Sequence, residues 1–543
     1  LGPRGRPECG ASYSTAVRVL PFLAADAVDE IIHWVASRLR SQWWIWLLPL
    51  AVLYAMVRWP YGRIVHIIAG VFALGVLAWA IKRPGNALIA LVCFLPLQAI
   101  GFGFLLRLHV PTQILRPAGG IKDVLAVGIL LSALHTFHVG RTRLGKQGQL
   151  DGIDKVLLVY VAVVTFYLIF PHLFTLFPVA NRWSVRLLAW RTDCGYVLLF
   201  FAVRHAPIPA AARRRFIQVL IGLTALTVVL GFYQWLRPES WSHLILSSGR
   251  QVQYQLSVLG IDSVTVGRNL GYLTNLSLLR VASVFISPFD MADFLLIPLA
   301  IAVERIARNY RSRGSYVLCA AILAILFASR VRADALAAVI IAVVAMWPTP
   351  NRPVTARLRL LAAILVASAV IAPSLGGTRF VNAEGGAKSN QGHISEITGG
   401  VKQLARNPLG LGIGNVAGVG DRFVLAANRQ GGFTVDNAVL QVGNELGLQA
   451  MVPWLVMMFL IWKGLGRAAK RTDPFAGGVR LAFLAVFVAG MYHHVFLSFA
   501  VAWILWSAVG LALHVESGPG VPESDTSPGN IDDINATAAA DPN

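Results

Sequence analysis

Long apolar runs alternate with short polar breaks along nearly the whole chain. The runs fall near residues 43–57, 64–81, 86–106, 121–138, 155–178, 185–203, 216–236, 284–304, 315–329, 333–347, 357–373, 438–462, 479–493 and 495–513. Most approach the roughly 20 residues that a helix needs to cross the hydrocarbon core of a bilayer. The pattern predicts an all-α fold, a polytopic transmembrane helical bundle of about fourteen spans. Two polar stretches interrupt it, near 237–283 and 374–437. Residues 17–40, VRVLPFLAADAVDEIIHWVASRLR, alternate apolar and charged positions at helical spacing, which predicts an interfacial helix on the inner leaflet.

Composition agrees with the pattern. Hydrophobic residues make up 56% of the 543 and charged residues 13%, with a mean hydropathy of +0.64. Soluble domains carry about 25% charged residues. The 47 Lys and Arg outnumber the 26 Asp and Glu, for a formal charge of +21. In a soluble protein that balance would point to nucleic acid. Here the basic residues concentrate in every second connection: Lys82-Arg83, Arg141/Arg143/Lys146, Arg204 with Arg213-Arg214-Arg215, Arg305/Arg308/Arg311/Arg313, Arg352/Arg357/Arg359 and Lys463/Arg467/Lys470/Arg471. The positive-inside rule makes those loops cytoplasmic, so no nucleic-acid partner is implied.

Arg18, Arg38 and Arg40 put the N-terminal segment on the same side, and an even number of spans returns the acidic tail there. The expected division is a cytoplasmic segment over 1–42, the first part of the bundle over 43–373, a large outer loop over 374–437, the last part of the bundle over 438–513, and a disordered cytoplasmic tail over 514–543. No cleavable signal pattern and no internal repeat is evident. Cys93, Cys194 and Cys319 fall in expected spans and Cys9 in the N-terminal segment, which indicates neither a disulfide framework nor a CxxC metal site.

Candidate chemistry therefore lies on the outer face. The arginines there run against the charge trend: Arg280 in LLRVASVFISPFDMADFL, Arg330 and Arg332 in ASRVRADAL, and Arg379 in GTRF. Two readings stand. Each snorkels to headgroup phosphates, as cations near span ends do; or two or more converge on an anionic substrate, since guanidinium forks suit phosphate oxygens. An anion at that surface would most naturally be a lipid-linked pyrophosphate.

A metal site is not expected there. Neither HxxxH nor HExxH occurs, and His493-His494 read as polar residues at a span end. Arginines could supply the charge neutralisation that a metal provides elsewhere. His393 is a better candidate than that pair. Its segment, 394–407, carries apolar residues at Ile394, Ile397, Val401 and Leu404, a helical stripe that predicts an amphipathic helix ended by Asn407-Pro408. The following GLGIGN supplies glycines, either for close backbone approach to a substrate or to turn the chain. It is not a dinucleotide fingerprint, because no βαβ unit surrounds it. Asp436, Asn437, Asn444 and Glu445 then sit at the threshold of an apolar run, where carboxylates and amides are costly unless they face a site.

The order of these motifs is an arginine before a span (Arg280 with SPFDMADF), Ser329-Arg330 at an outer turn, a large outer loop, PLGLGIGN over Pro408–Asn415, and DNAVLQVGNELG over Asp436–Gly447. It resembles the O-antigen ligase and O-antigen polymerase superfamily of membrane glycosyltransferases. The resemblance covers roughly residues 270–465. It implies a multi-pass enzyme of the bacterial plasma membrane. Such an enzyme transfers or polymerises glycan from a polyprenyl-pyrophosphate carrier on the outer face to a glycan or lipid-glycan acceptor, without cofactor, metal or nucleotide sugar. Arg280 and Arg330 would hold the pyrophosphate, with Arg332, Arg379, His393, Asn437 and Glu445 in support.

The position before Asn437 would carry the catalytic base. It is a histidine in the ligases and Asp436 here, a departure that leans towards a polymerase or a distant ligase. A partly desolvated aspartate can still take a proton from a hydroxyl. His393 stands where the family often has arginine. For Glu445 two roles stay open, orienting loop groups or capping the helix entrance. Two rivals are weighed. A polyprenyl-monophosphate-dependent transferase would want an acidic pair in the first outer loop, where none is found. A transporter or flippase would want charges at mid-membrane in repeated halves; Asp123, Asp193 and Glu304 lie in or near spans, and no repeat pairs them.

Overall fold

The computed structural model describes residues 64–144, 150–171, 183–248, 250–258, 280–308, 313–347, 354–355, 383–416, 435–470, 473–493 and 495–514. The spans expected at 43–57 and 357–373, the helix expected at 17–40, Arg379, His494 and the tail after His514 lie outside them. The chain divides into two compact units, Leu1–Val71 and Phe72–Asn543. Of the first unit, only the opening turns of one helix are described; the remaining helices all belong to the second.

The described residues form helices and no strand. In chain order the principal ones are α1 (Ile64–Lys82), α2 (Pro84–Arg107), α3 (Ile121–Leu144), α4 (Gly152–Ile169), α5 (Trp183–His205), α6 (Ala210–Leu236) and α7 (Pro288–Ala307). They continue with α8 (Arg313–Ser329), α9 (Arg332–Met346), α10 (Ala383–Arg406), α11 (Ala438–Leu446), α12 (Leu448–Lys470), α13 (Pro474–Ala489) and α14 (Phe499–Ala512).

Five helical stretches among the described residues are long and apolar enough to cross a membrane: Pro84–Arg107, Ile114–His138, Gly152–Ile169, Ala210–Leu236 and Leu448–Lys470. Ile67–Lys82, Arg313–Ser329, Pro474–Ala489 and Phe499–Ala512 are shorter and apolar. A membrane protein is compatible with this set. One expected span is corrected. Residues 438–462 do not form a single helix, because Gly447 at φ 76° separates α11 from α12. α11 continues directly into the apolar α12, so periodicity alone does not reveal the break.

α7 is the central helix. Ser287 caps it by accepting the Phe289 N–H at 3.2 Å, and Pro288 takes the first helical position, where its missing donor costs nothing. Apart from Phe289, Asp290 and Arg305 its residues are all buried, as expected of a helix apolar on every side. It packs against α8, α9, α13 and α14. A second group joins α5 to α3, α4 and α14. On the outside, Val229, Val339, Val343 and Phe459 stay exposed at mid-helix, as lipid-facing side chains do.

Buried and half-buried ion pairs fasten one end of the bundle. Asp151 and Asp154 form a capping box at the start of α4. Arg204, from the last turn of α5, donates to Asp154 at 2.8 Å, to Asp151 at 2.5 Å and to the Leu513 carbonyl at 3.2 Å. Arg213 pairs with Asp473 nearby in the same layer of connections. This is the end that carries the clustered basic residues. The polar threshold residues lie at the other.

Candidate functional site

The site end is built on a glycine run laid against the tail of α11. Gly410, Gly412 and Gly414 adopt φ of 83°, 95° and 81°, the left-handed region in which glycine alone is unstrained. Leu411 N–H donates to the Asn444 carbonyl at 2.7 Å, Gly412 N–H to the Glu445 carbonyl at 2.9 Å, and Leu448 N–H to the Pro408 carbonyl at 2.8 Å. A Cβ on Gly410 would stand 2.5 Å from the Gly447 nitrogen and 2.7 Å from the Glu445 oxygen. Gly410 therefore serves close approach of backbone to backbone.

Glu445, buried at 3% exposure, accepts the Gly414 N–H at 2.6 Å. Of the two roles left open by the sequence it takes the orienting one. It lies in the last turn of α11, and the entrance is capped instead by Asn437, whose side chain accepts the Leu440 N–H at 3.0 Å.

Asp436 immediately precedes that cap. Its neighbours tie it to the turn after α13: Ala438 N–H donates to the Gly490 carbonyl at 2.7 Å and Asn437 Nδ2 to the Met491 carbonyl at 3.0 Å. From the other side comes α10, with Gly400 close against Val435 and Leu440. His393 and Glu396 project from the same face, and their polar atoms lie within 4.8 Å of one another and of the Asp436 carboxylate. His393 Nδ1 is 3.9 Å from Glu396. All three are half-buried. The fold thus brings His393 to Asp436 across the large loop and adds Glu396, which the sequence did not single out.

The arginines sit on a strained elbow. Residues 280–287 run without helix before α7, and α6 satisfies two of their backbone N–H groups. Gln234 Oε1 accepts the N–H groups of Ala282 and Ser283 at 2.9 Å each, and Ser283 Oγ donates to the Thr227 carbonyl at 2.7 Å. Val281 N–H reaches the Ala328 carbonyl at 3.3 Å, joining the elbow to the turn that carries Arg330. Ser283 at φ 51° and Arg330 at φ 55° both hold the left-handed conformation. Such strain in non-glycine residues gathers at functional sites. Arg330 is exposed, and Arg332, also exposed, opens α9. The Arg280 guanidinium lies 5.8 Å from the centre of the Phe289 ring, and that ring lies 5.5 Å from His493.

His493 is the residue the sequence undervalued. Its Nε2 lies 3.0 Å from both carboxylate oxygens of Asp293, in the second turn of α7. Asp334, in the first turn of α9, completes a group whose polar atoms all lie within 4.8 Å of one another. The signal was present in part: an aspartate near the start of each apolar run, where it is costly without a partner.

No protein-family model and no curated protein matches the chain.

The assignment of chemistry accordingly rests on the geometry. Asp436 is a half-buried carboxylate beside an imidazole. Arg280 stacks over Phe289, which lies against His493, and the turn that carries His493 also offers the Met491 carbonyl to Asn437, next to Asp436. Cationic and proton-accepting groups therefore share one end of the bundle. The other acids noted within spans have local partners or surroundings. Asp123 pairs with Arg191 at 2.7 Å and Glu304 with Arg308 at 2.7 Å, while Asp193 lies buried near Glu445.

Proposed function

We propose that this chain is a multi-pass glycosyltransferase of the bacterial plasma membrane, with about fourteen spans and both long polar loops on the outer face. It takes a glycan from a polyprenyl-pyrophosphate carrier and joins it to a glycan or lipid-glycan acceptor, as a polysaccharide polymerase or ligase. The observation that carries this reading is the grouping of Arg280 and the Arg330 turn with the Asp436 threshold at one end of the bundle.

In the proposed inverting transfer, Asp436 accepts the proton of the acceptor hydroxyl as its oxygen attacks the anomeric carbon. The bond from that carbon to the carrier's phosphate oxygen breaks on the opposite face. Arg280 and Arg330 stabilise the charge that develops on the departing pyrophosphate, fixed cations being the largest aid to such a step. Arg332 adds positive charge beside the Arg330 turn, and Arg379, which lies outside the described residues, would support it as the resemblance implies. His393, close to both Asp436 and Glu396, takes the proton onward, and Asn437 and Glu445 hold the threshold and the glycine run in place.

The test is Asp436→Asn, which keeps the size of the side chain and removes its basicity. Transfer should fall by at least about 10²-fold, the usual contribution of a general base, with membrane insertion unchanged. An Asp436→Asn protein that transfers at the wild-type rate sinks the assignment. In a deletion strain, loss of long polymer with single units retained marks a polymerase, and free polymer lacking its final anchor marks a ligase. Carrier-linked glycan trapped on the inner leaflet would instead identify the alternative, a flippase.

A further inference from the structure

The buried group formed by Asp293, Asp334 and His493 has no part in the proposed transfer, yet two carboxylates buried side by side are costly. Asp293 is 1% exposed and Asp334 0%, and the His493 side chain is 13% exposed. Both Asp334 carboxylate oxygens are buried without a hydrogen-bond donor among the described residues, and they face the carboxylate of Asp293 and the ring of His493. One imidazole, even protonated, balances only one of two carboxylates. The second must therefore either take up a proton or meet a further positive charge, since a bare carboxylate in an apolar interior is strongly unfavourable.

We propose that the three residues bind a divalent cation of the zinc or manganese kind. Two carboxylates and one imidazole form a donor set suited to such borderline ions and poorly suited to soft ones. Ions that bind nitrogen and oxygen at about 2.0–2.2 Å hold neighbouring ligand atoms somewhat more than 3 Å apart. The 3.0 Å between His493 Nε2 and the Asp293 oxygens, with Asp334 inside the same 4.8 Å group, already approaches that spacing.

The ligands come from three separate elements, so the ion acts as a staple. It joins α7 and α9 to the turn after α13. That turn offers the Gly490 and Met491 carbonyls that hold Ala438 and Asn437, on either side of which the chain leads to Asp436 and α11. The role is structural, and the site stands whether or not the chain transfers sugars.

The experiment uses the full chain purified in detergent, stripped with a chelator, incubated separately with Zn²⁺ or Mn²⁺ and desalted. Metal content is then measured with no substrate present. The wild type should retain about one ion per chain and unfold at a higher temperature when loaded, because binding to the folded state adds to its stability. Asp334→Asn, checked as monodisperse, should lose most of the ion and the thermal shift. His493→Gln provides a second route should Asp334→Asn fail to fold. A wild type that retains less than about a tenth of an ion per chain overturns the proposal. So does a folded variant that keeps the wild-type load.

Discussion

At the scale of single residues, the glycines of the loop separate conformational need from coincidence. Gly410 combines a left-handed backbone with a Cβ position that collides with the backbone of Glu445 and Gly447, whereas Gly392, within α10, has nothing within 4 Å. Gly410→Ala should therefore destabilise by more than about 1 kcal/mol. Gly392→Ala should stabilise α10 by roughly 0.5–1 kcal/mol, the helical preference for alanine. Thermal unfolding in detergent distinguishes them, and equal shifts from the two changes would count against the loop geometry. Asp436, Arg280 and Arg330 stood out in the sequence as candidates because a polar residue at the edge of an apolar run is conspicuous, and His393 stood out as the histidine of the large polar loop. The Asp293–Asp334–His493 group was not. Asp293 and His493 are 200 positions apart, and periodicity carries no information on which runs meet.

At the scale of elements, the ends of α4 and α5 carry the strongest electrostatic fastening. Arg204 and Asp154 are 6% and 1% exposed, so removing the guanidinium leaves a buried carboxylate without its main partner. Arg204→Ala should cost about 3–5 kcal/mol, read as a lower unfolding temperature or as failure to accumulate. Asp151 gives the same fastening a pH signature. Burial pushes its carboxyl upwards, but hydrogen bonds from Arg204 and from the helix N-terminus outweigh that and hold it at about 2. The unfolded value is about 3.9. A depressed folded value means the contribution is complete at neutral pH and is lost as pH falls from about 4 towards 2. The wild type should lose stability over that window faster than Asp151→Asn does, and parallel curves would refute the link. Helix positions were largely legible at this scale, since the expected spans that lie within the described residues fall on α1 to α9 and α12 to α14. The break at Gly447 was hidden because an apolar run of spanning length continues beyond it, and the close approach of Pro408 and Leu409 accompanies it.

At the scale of the molecule, the two ends of the bundle differ in charge and in chemistry, and the positive-inside rule predicts that the basic end faces the cytoplasm. Cysteine labelling with a membrane-impermeant maleimide on intact cells would read it directly. Leu409→Cys, exposed at the site end, should react, whereas Gly314→Cys, exposed beside Arg313 at the other, should react only after permeabilisation. The reverse pattern would place the candidate site in the cytoplasm and remove the proposed substrate.

The elbow held by Gln234 has a consequence for how the site is set in depth. A non-helical stretch surrounded by apolar helices must have its amide groups answered by protein rather than water, and here one side-chain oxygen answers two of them. The level at which Arg280 stands is thus borrowed from α6 rather than fixed by its own segment. Each residue of a helix advances about 1.5 Å along the axis and turns it by about 100°. A single residue inserted in α6 ahead of Gln234 would swing that oxygen away from its two donors. The rotational register of one otherwise ordinary apolar helix therefore serves as the ruler for a cation that it does not itself carry.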